Sequence, residues 1–189
     1  MRVETRKQEI IRVAATLFKD KGYSAVTMRD LAKAMGIKAA SLYNHINSKQ
    51  DILKDIIISL AEEFTAGMAT IMASQVSSLD KLNQIIALHV NIAGRNTDEM
   101  ASLNNDWMHL EEKLEYYLQL RENYEANFRS IIKQGIGTKE IIDLDPDTIL
   151  FSILSTLRSL YLWIPDHEDY NPNQFAAELA EILLHGINK

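Results

Sequence analysis

The chain has 189 residues, of which 20 are basic, 26 acidic and 47% hydrophobic, with a formal net charge of −6 and no cysteine. That length holds one large core or a small head on a larger body; the missing cysteine removes any disulfide framework, and no uninterrupted apolar run approaches the ~18 residues of a membrane helix. The acidic total speaks against coating of nucleic acid by the whole molecule, and the opening MRVETRKQEIIR lacks the apolar stretch of a signal peptide, so a cytoplasmic protein without a membrane partner is expected.

The chain reads as helix nearly throughout. Ile10, Ala14, Leu17 and Phe18 form the inner stripe of a first helix that Gly22 closes. Thr27, three residues before Asp30, caps a short helix with Met28, Leu31, Ala32 and Met35 on its apolar side. Gly36 supplies a left-handed turn and Ile37 pins the corner. From Lys38 to about Ile46 only Leu42 and Ile46 are obligatorily apolar, at an i, i+4 spacing, which leaves Lys38, Ala39, Ala40, Ser41, Tyr43, Asn44 and His45 free to face outward. Two short helices about a glycine corner, the second small and polar on its outer side, are the wiring of a helix-turn-helix DNA reader. Charge supports this over an ordinary helical hairpin: residues 1–54 hold eleven basic and five acidic residues, a net of +6, so the remainder carries −12.

Ser48 opens the next helix, in which Ile52, Ile56, Ile57, Leu60 and Phe64 run on into the acidic body without a Pro or Gly break. The body offers helices near 80–92, after Asn96 or Thr97, and near 111–134, the last ended by Gly135 and Gly137. Asp145-Pro146 is an N-cap with proline at the first helical position, and the helix it opens is expected to run to Ile164, before Pro165. A polar loop, DHEDYNPN, precedes a last helix with Phe175, Leu179, Ile182 and Gly186 on one face.

The run from Gln8 to Leu53 resembles the N-terminal DNA-binding domain of the tetracycline-repressor-like (TetR) family of bacterial regulators, through Leu17-Phe18, Gly22-Tyr23, Thr27, Leu31-Ala32, Gly36-Ile37, Leu42-Tyr43, His45 and Ser48-Lys49. It departs from the family at Lys38, Ala40 and Ile46; the changed outer surface at Lys38 and Ala39 prevents transfer of an operator sequence from a relative. The resemblance implies an all-α fold, with a three-helix helix-turn-helix head over residues 1–50 and a helical ligand-binding and dimerisation body over 51–189. It implies that Thr27, Arg29, Tyr43, His45 and Lys49 hold phosphates of double-stranded DNA while Lys38, Ala39, Ala40, Ser41 and Asn44 face bases. Tyr43 also reads as a half-buried packing residue. With no cysteine and no second histidine at ligand spacing, His45 is not read as a metal ligand, and neither a metal nor a cofactor is expected.

In similar proteins the body encloses an effector pocket, which maps here to Phe64, Met68, Met72, Trp107, Met108, Tyr116, Tyr117, Arg121 and Phe128. The pattern from Asp106 to Ile136 resembles a branch of the family that responds to fatty acyl-CoA or related lipid thioesters. Each of these residues alone also reads as core, and Arg121 as a helical partner of Glu125 or Glu122. Excess apolar surface after Ile149 points either to a central buried helix or to a homodimer interface formed by Phe151, Leu154, Tyr161, Phe175, Leu179 and Ile182, and a twofold pair suits a reader of palindromic DNA. The function implied is a ligand-released homodimeric repressor. The alternative is a regulator switched by a protein partner, or an activator, without a small-molecule effector. An enzyme is not expected, because His89, His109, His167 and His185 come with no nucleophile, phosphate-loop or metal motif.

Overall fold

The computed structural model describes residues 4–167 and 169–187. Arg2, counted in the basic segment, and Glu168, in the polar loop, lie outside them. Among the described residues the secondary structure is all helix, with ten α-helices and no strand.

The first of two compact units comprises residues 1–61 and 98–118. Its α1 (Arg6–Lys21) starts from a capping box between Thr5 and Gln8 and buries Ile10, Ala14, Ala15 and Phe18. A single 3₁₀ turn over Tyr23–Ala25 leads to α2 (Met28–Ala34), capped reciprocally by Thr27 and Asp30 as the sequence implies. Gly36 takes φ +66°, the Ile37 N–H reaches the Ala32 carbonyl at 3.0 Å and the Gly36 N–H the Lys33 carbonyl at 3.2 Å, which together close α2 in a Schellman motif. Then α3 follows, but it is regular only over Ala39–Leu42, shorter than the expected Lys38–Ile46. Tyr43, Asn44 and His45 lie in a turn held by His45 N–H (2.9 Å) and Ile46 N–H (3.0 Å), both bonded to the Leu42 carbonyl. Too few apolar residues anchor this segment to extend the helix; fully buried Leu42 and nearly buried Ile46 pin only its two ends.

The Ser48 hydroxyl accepts the Asp51 N–H at the start of α4 (Lys49–Ala73), whose residues 49–61 belong to the first unit and whose remainder belongs to the second. The first unit also takes in α6 (Thr97–Asn105) from Asp98 onward, 3₁₀ turns at Trp107–His109 and Glu111–Lys113, and the start of α7 (Leu114–Gly137). The unit boundaries thus differ from a division after residue 50.

The second unit comprises residues 62–97 and 119–189. Within it α5 (Ser78–Arg95) buries Leu82, Ile85, Ile86, His89, Val90, Ile92 and Ala93, and packs against α8 (Pro146–Arg158), α9 (Leu160–Trp163) and α10 (Pro172–His185). Asp145 caps α8 and Pro146 opens it, as expected. The single helix expected from there to Ile164 is broken at Ser159, whose hydroxyl bonds the Ser155 carbonyl at 2.8 Å, and it ends in a 3₁₀ turn over Ile164–Asp166. On α10 the fully inward residues are Ala176 and Ala180, so the expected stripe of Phe175, Leu179 and Ile182 is rotated outward; Ile182 is 52% exposed.

By length and composition Lys49–Ala73 and Pro146–Asp166 could each cross a membrane, a property that the search for uninterrupted apolar runs passes over. In the fold one face of each is spent on packing, through Ile52, Leu53, Ile56 and Ile57 in the first and Ile153, Leu154 and Leu157 in the second, while Phe151 and Leu162 of the second stay exposed.

Candidate nucleic-acid interface

The outer surface of α2 and α3 collects most of the residues that the sequence assigns to DNA. Thr27, Arg29, Lys38, Ala40, Ser41, Asn44 and His45 are exposed, Ala39 is half-buried, and Tyr43 is 54% exposed, which favours an accessible phenol over a packing role. Lys38 occupies the N-cap position of α3, where its ammonium, a donor only, cannot cap the helix, and its side chain is exposed. Ala39, Ala40 and Ser41 are short enough to admit the edge of a groove, while Lys38 and Asn44 are the longer groups flanking them.

Two assigned phosphate contacts are already engaged. The Thr27 hydroxyl accepts the Asp30 N–H at 3.2 Å and donates to the Asp30 carboxylate, which also accepts the Thr27 N–H at 2.9 Å; the two bonds to the carboxylate, with Lys21 and Lys33 nearby, hold it below its ordinary range. The Lys49 ammonium donates to the carbonyls of Tyr23 and Val26, each at 2.8 Å, and sits 4.1 Å from the centroid of the Tyr23 ring. Desolvation lowers its pKa while Asp106 opposes that shift. Lys49 therefore ties the Tyr23–Val26 turn to the start of α4, with two of its three donors used inside the head.

Sequence reasoning missed the support that this unit draws from residues 98–118. The Tyr23 hydroxyl donates to Gln50 Oε1, Gln50 Nε2 donates to the His109 carbonyl, and the His109 ring stacks on Tyr23 with centroids 5.3 Å apart. On α1, Lys19 pairs with Asp98 at 2.8 Å and Thr16 donates to the same carboxylate at 2.7 Å. Residues 98–118 contain six acids and one lysine, so the charge asymmetry read along the chain is present within this one unit, and Lys19–Asp98 is a point where the two signs meet. Spacing along the chain carries no signal for such pairs. Lys7 and Lys54 were also missed: with His45, Asn47, Asp51 and Asp55 they line a polar cleft of about 190 Å³ and form ion pairs with Asp55 at 2.7 Å and Asp51 at 2.9 Å.

The residues assigned to an effector pocket divide between the units. Phe64, Met68 and Phe128 are buried in the second unit, where Met72 is half-buried and Arg121 bonds Glu125 at 3.1 Å. Trp107, Met108, Tyr116 and Tyr117 belong to the first; Trp107 stacks on Tyr117 at 6.0 Å, while Met108 and Tyr116 are exposed. Of the residues assigned to a dimer interface, Phe151 (71%) and Ile182 are exposed, Phe175 and Leu179 are half-buried, and Leu154 and Tyr161 are buried in the protomer's own core. No cluster of metal-ligating side chains occurs among the described residues.

Comparison with known proteins agrees with this architecture. Residues 10–56 match the model for bacterial regulatory proteins of the tetR family, and residues 75–187 match the tetracyclin repressor-like C-terminal domain. The HTH-type transcriptional repressor KstR2 of Rhodococcus jostii is 23% identical over 185 residues, which cover 96% of this chain and 91% of that protein. The negative transcriptional regulator IcaR of the Staphylococcus aureus biofilm operon is 47% identical over 51 residues, 27% of each chain. The solved structure of the ketosteroid transcriptional regulator KstR2 of Mycobacterium tuberculosis superposes with a TM-score of 0.88 at 23% identity, covering 100% of this chain and 97% of that one. The chain belongs to the tetR family of bacterial regulatory proteins and is a DNA-binding transcriptional regulator.

Proposed function

We propose that this protein is a homodimeric repressor released from a palindromic operator by a small apolar effector of the acyl-CoA or lipid-derived class. The outward presentation of Lys38, Ala40, Ser41 and Asn44 on a segment anchored by buried Leu42 and Ile46 is the observation that carries the DNA-binding half of this reading. Similarity to two proteins named as repressor and negative regulator supports the sign of the regulation. Lys38 and Asn44 carry the base discrimination, lysine toward guanine O6/N7 and asparagine toward adenine N6/N7. Lys38→Ala or Asn44→Ala is expected to relax preference at one symmetric pair of operator positions by roughly 1–3 kcal/mol per mismatch. Binding-site selection that returns the wild-type motif would contradict this assignment.

Homodimerisation rests on the apolar surface that the protomer leaves uncovered on its last helices: Phe151, Ile182 and Leu162 are each more than half exposed. Phe151→Glu places a charge on that surface without touching the protomer core. Sedimentation is expected to show a monomer, with operator affinity reduced at least about a hundredfold because each half then binds alone. A dimer that survives the substitution would move the interface elsewhere.

The effector is held in the second unit among Phe64, Met68 and Phe128 of α4 and α7, and it favours a state with misplaced recognition helices. A hundredfold release needs a differential of about 2.7 kcal/mol, which a few buried methylenes supply. Titration of a preformed protein–operator complex with acyl-CoAs, fatty acids and unrelated aromatic compounds tests this. Release by the acyl-CoAs and not by the aromatic compounds is the expected result; retention of the operator with all three leaves the partner-switched reading in its place.

A further inference from the structure

On the inner face of α5, His89 is 4% exposed and its Nε2 lies 2.9 Å from the Tyr124 hydroxyl of α7, itself 8% exposed. The Phe64 ring of α4 lies over the imidazole, with centroids 4.6 Å apart, and meets the Tyr124 ring edge-on at 6.0 Å. The other imidazole nitrogen, Nδ1, is buried and has no hydrogen-bond partner among the described residues. Leaving a buried polar atom unpaired is destabilising, so a position that retains one needs a reason.

Among the described residues the one hydrogen bond of the buried Tyr124 hydroxyl is with His89 Nε2. If Nε2 carried the imidazole proton, the phenolic proton would have no acceptor and the Nδ1 lone pair no donor, leaving two groups unsatisfied. If Tyr124 donates to Nε2, the only unsatisfied group of the pair is an Nδ1–H. Burial keeps the imidazole neutral, with its pKa lowered to about 3, so the free group is an uncharged donor.

This inference rests on the reading of the second unit as an effector-binding body. We infer that His89 Nδ1–H is the polar recognition point of the effector site, donating a hydrogen bond to an uncharged acceptor oxygen, a ketone, ester or thioester carbonyl, on an otherwise apolar ligand. Tyr124 is the positioning residue, because its hydroxyl fixes which nitrogen bears the proton. Phe64 supplies a flat apolar neighbour, and the buried Met68, one turn further along α4, is an adaptable side chain that can repack around a ligand. A carboxylate is disfavoured here because a neutral donor among apolar rings does not compensate a buried charge.

Prodan, an aromatic ketone whose emission reports hydrogen bonding to its carbonyl, is a suitable probe, with the analogue carrying a propyl group in place of the propionyl as its control. The wild-type protein is expected to bind Prodan with hydrogen-bonded emission, and His89→Phe to weaken that binding about tenfold and shift the emission to the blue while leaving the propyl analogue unaffected. Absence of Prodan binding, or equal loss of both probes in His89→Phe, overturns the inference. Nitrogen-15 NMR of the unsubstituted, ligand-free protein provides a second measurement that does not depend on the variant's folding: a protonated Nδ1 and unprotonated Nε2 are expected, and the reverse overturns it. Prodan binding that follows the expected pattern without altering operator affinity leaves this recognition point standing and removes effector gating. Operator release by an acyl-CoA that is insensitive to His89→Phe does the opposite.

Discussion

Lys49→Ala is expected to destabilise the DNA-binding unit by about 2–3 kcal/mol, because it removes two charge-assisted hydrogen bonds, leaving the Val26 carbonyl without its donor and the Tyr23 carbonyl with the Val26 N–H alone, at 3.3 Å. Those carbonyls flank the entry to α2, so the register of the helix-turn-helix loosens and operator affinity falls with stability. A phosphate-binding lysine behaves differently: its loss leaves the fold intact and flattens the salt dependence by about one to two units per dimer. Denaturant unfolding combined with operator binding over a range of salt separates the two roles. A shifted unfolding midpoint with an unchanged salt slope is the expected pattern, and an unchanged midpoint with a flattened slope would return Lys49 to the DNA backbone. Lys49→Gln, able to donate to either carbonyl, should recover part of the lost stability.

Acidification should weaken the fold through His89. In the folded protein burial lowers its pKa from 6.5 to about 3, with the positive charge of Arg158 acting in the same direction. Between these values the unfolded chain binds a proton that the folded chain does not, so stability rises with pH across the window and is lost as pH falls below about 6.5. From pH 7 to pH 5 the loss is about 2 kcal/mol, allowing about 1.4 kcal/mol per pKa unit. Asp106 and Glu99, whose pKa values burial raises, act in the opposite sense, since the folded state takes up their protons first. The slope is therefore to be compared with that of His89→Phe, measured by denaturant unfolding at each pH. The variant should lose most of the dependence between pH 7 and 5; parallel curves would show that the imidazole is not held neutral.

The head was legible because its determinants are local. The Thr27–Asp30 capping box, the left-handed turn at Gly36 and the Leu42–Ile46 anchor each involve residues within four positions of one another, so the chain displays them directly. Asp145-Pro146 opened α8 for the same reason. Where the local signal is weak, the expectation failed: the apolar stripe continues past Ser159 although the helix does not, and the three positions Tyr43, Asn44 and His45 after Leu42 could not specify whether regular helix persists.

The sequence by itself determined an all-helical chain, a helix-turn-helix reader near its start, and the family to which the matched segments belong. Tertiary structure alone decided how the charges and polar groups are used. It turned Lys49 toward two carbonyls 23 and 26 residues away, brought acidic residues 98–118 into the unit that contains the reader, and placed His89 against Tyr124 with one nitrogen unpaired. Helical periodicity reports which face of a segment is buried, whereas the partner on that face comes from an element distant in the chain. A side chain's protonation, and the bonds it has left to offer, depend on that partner.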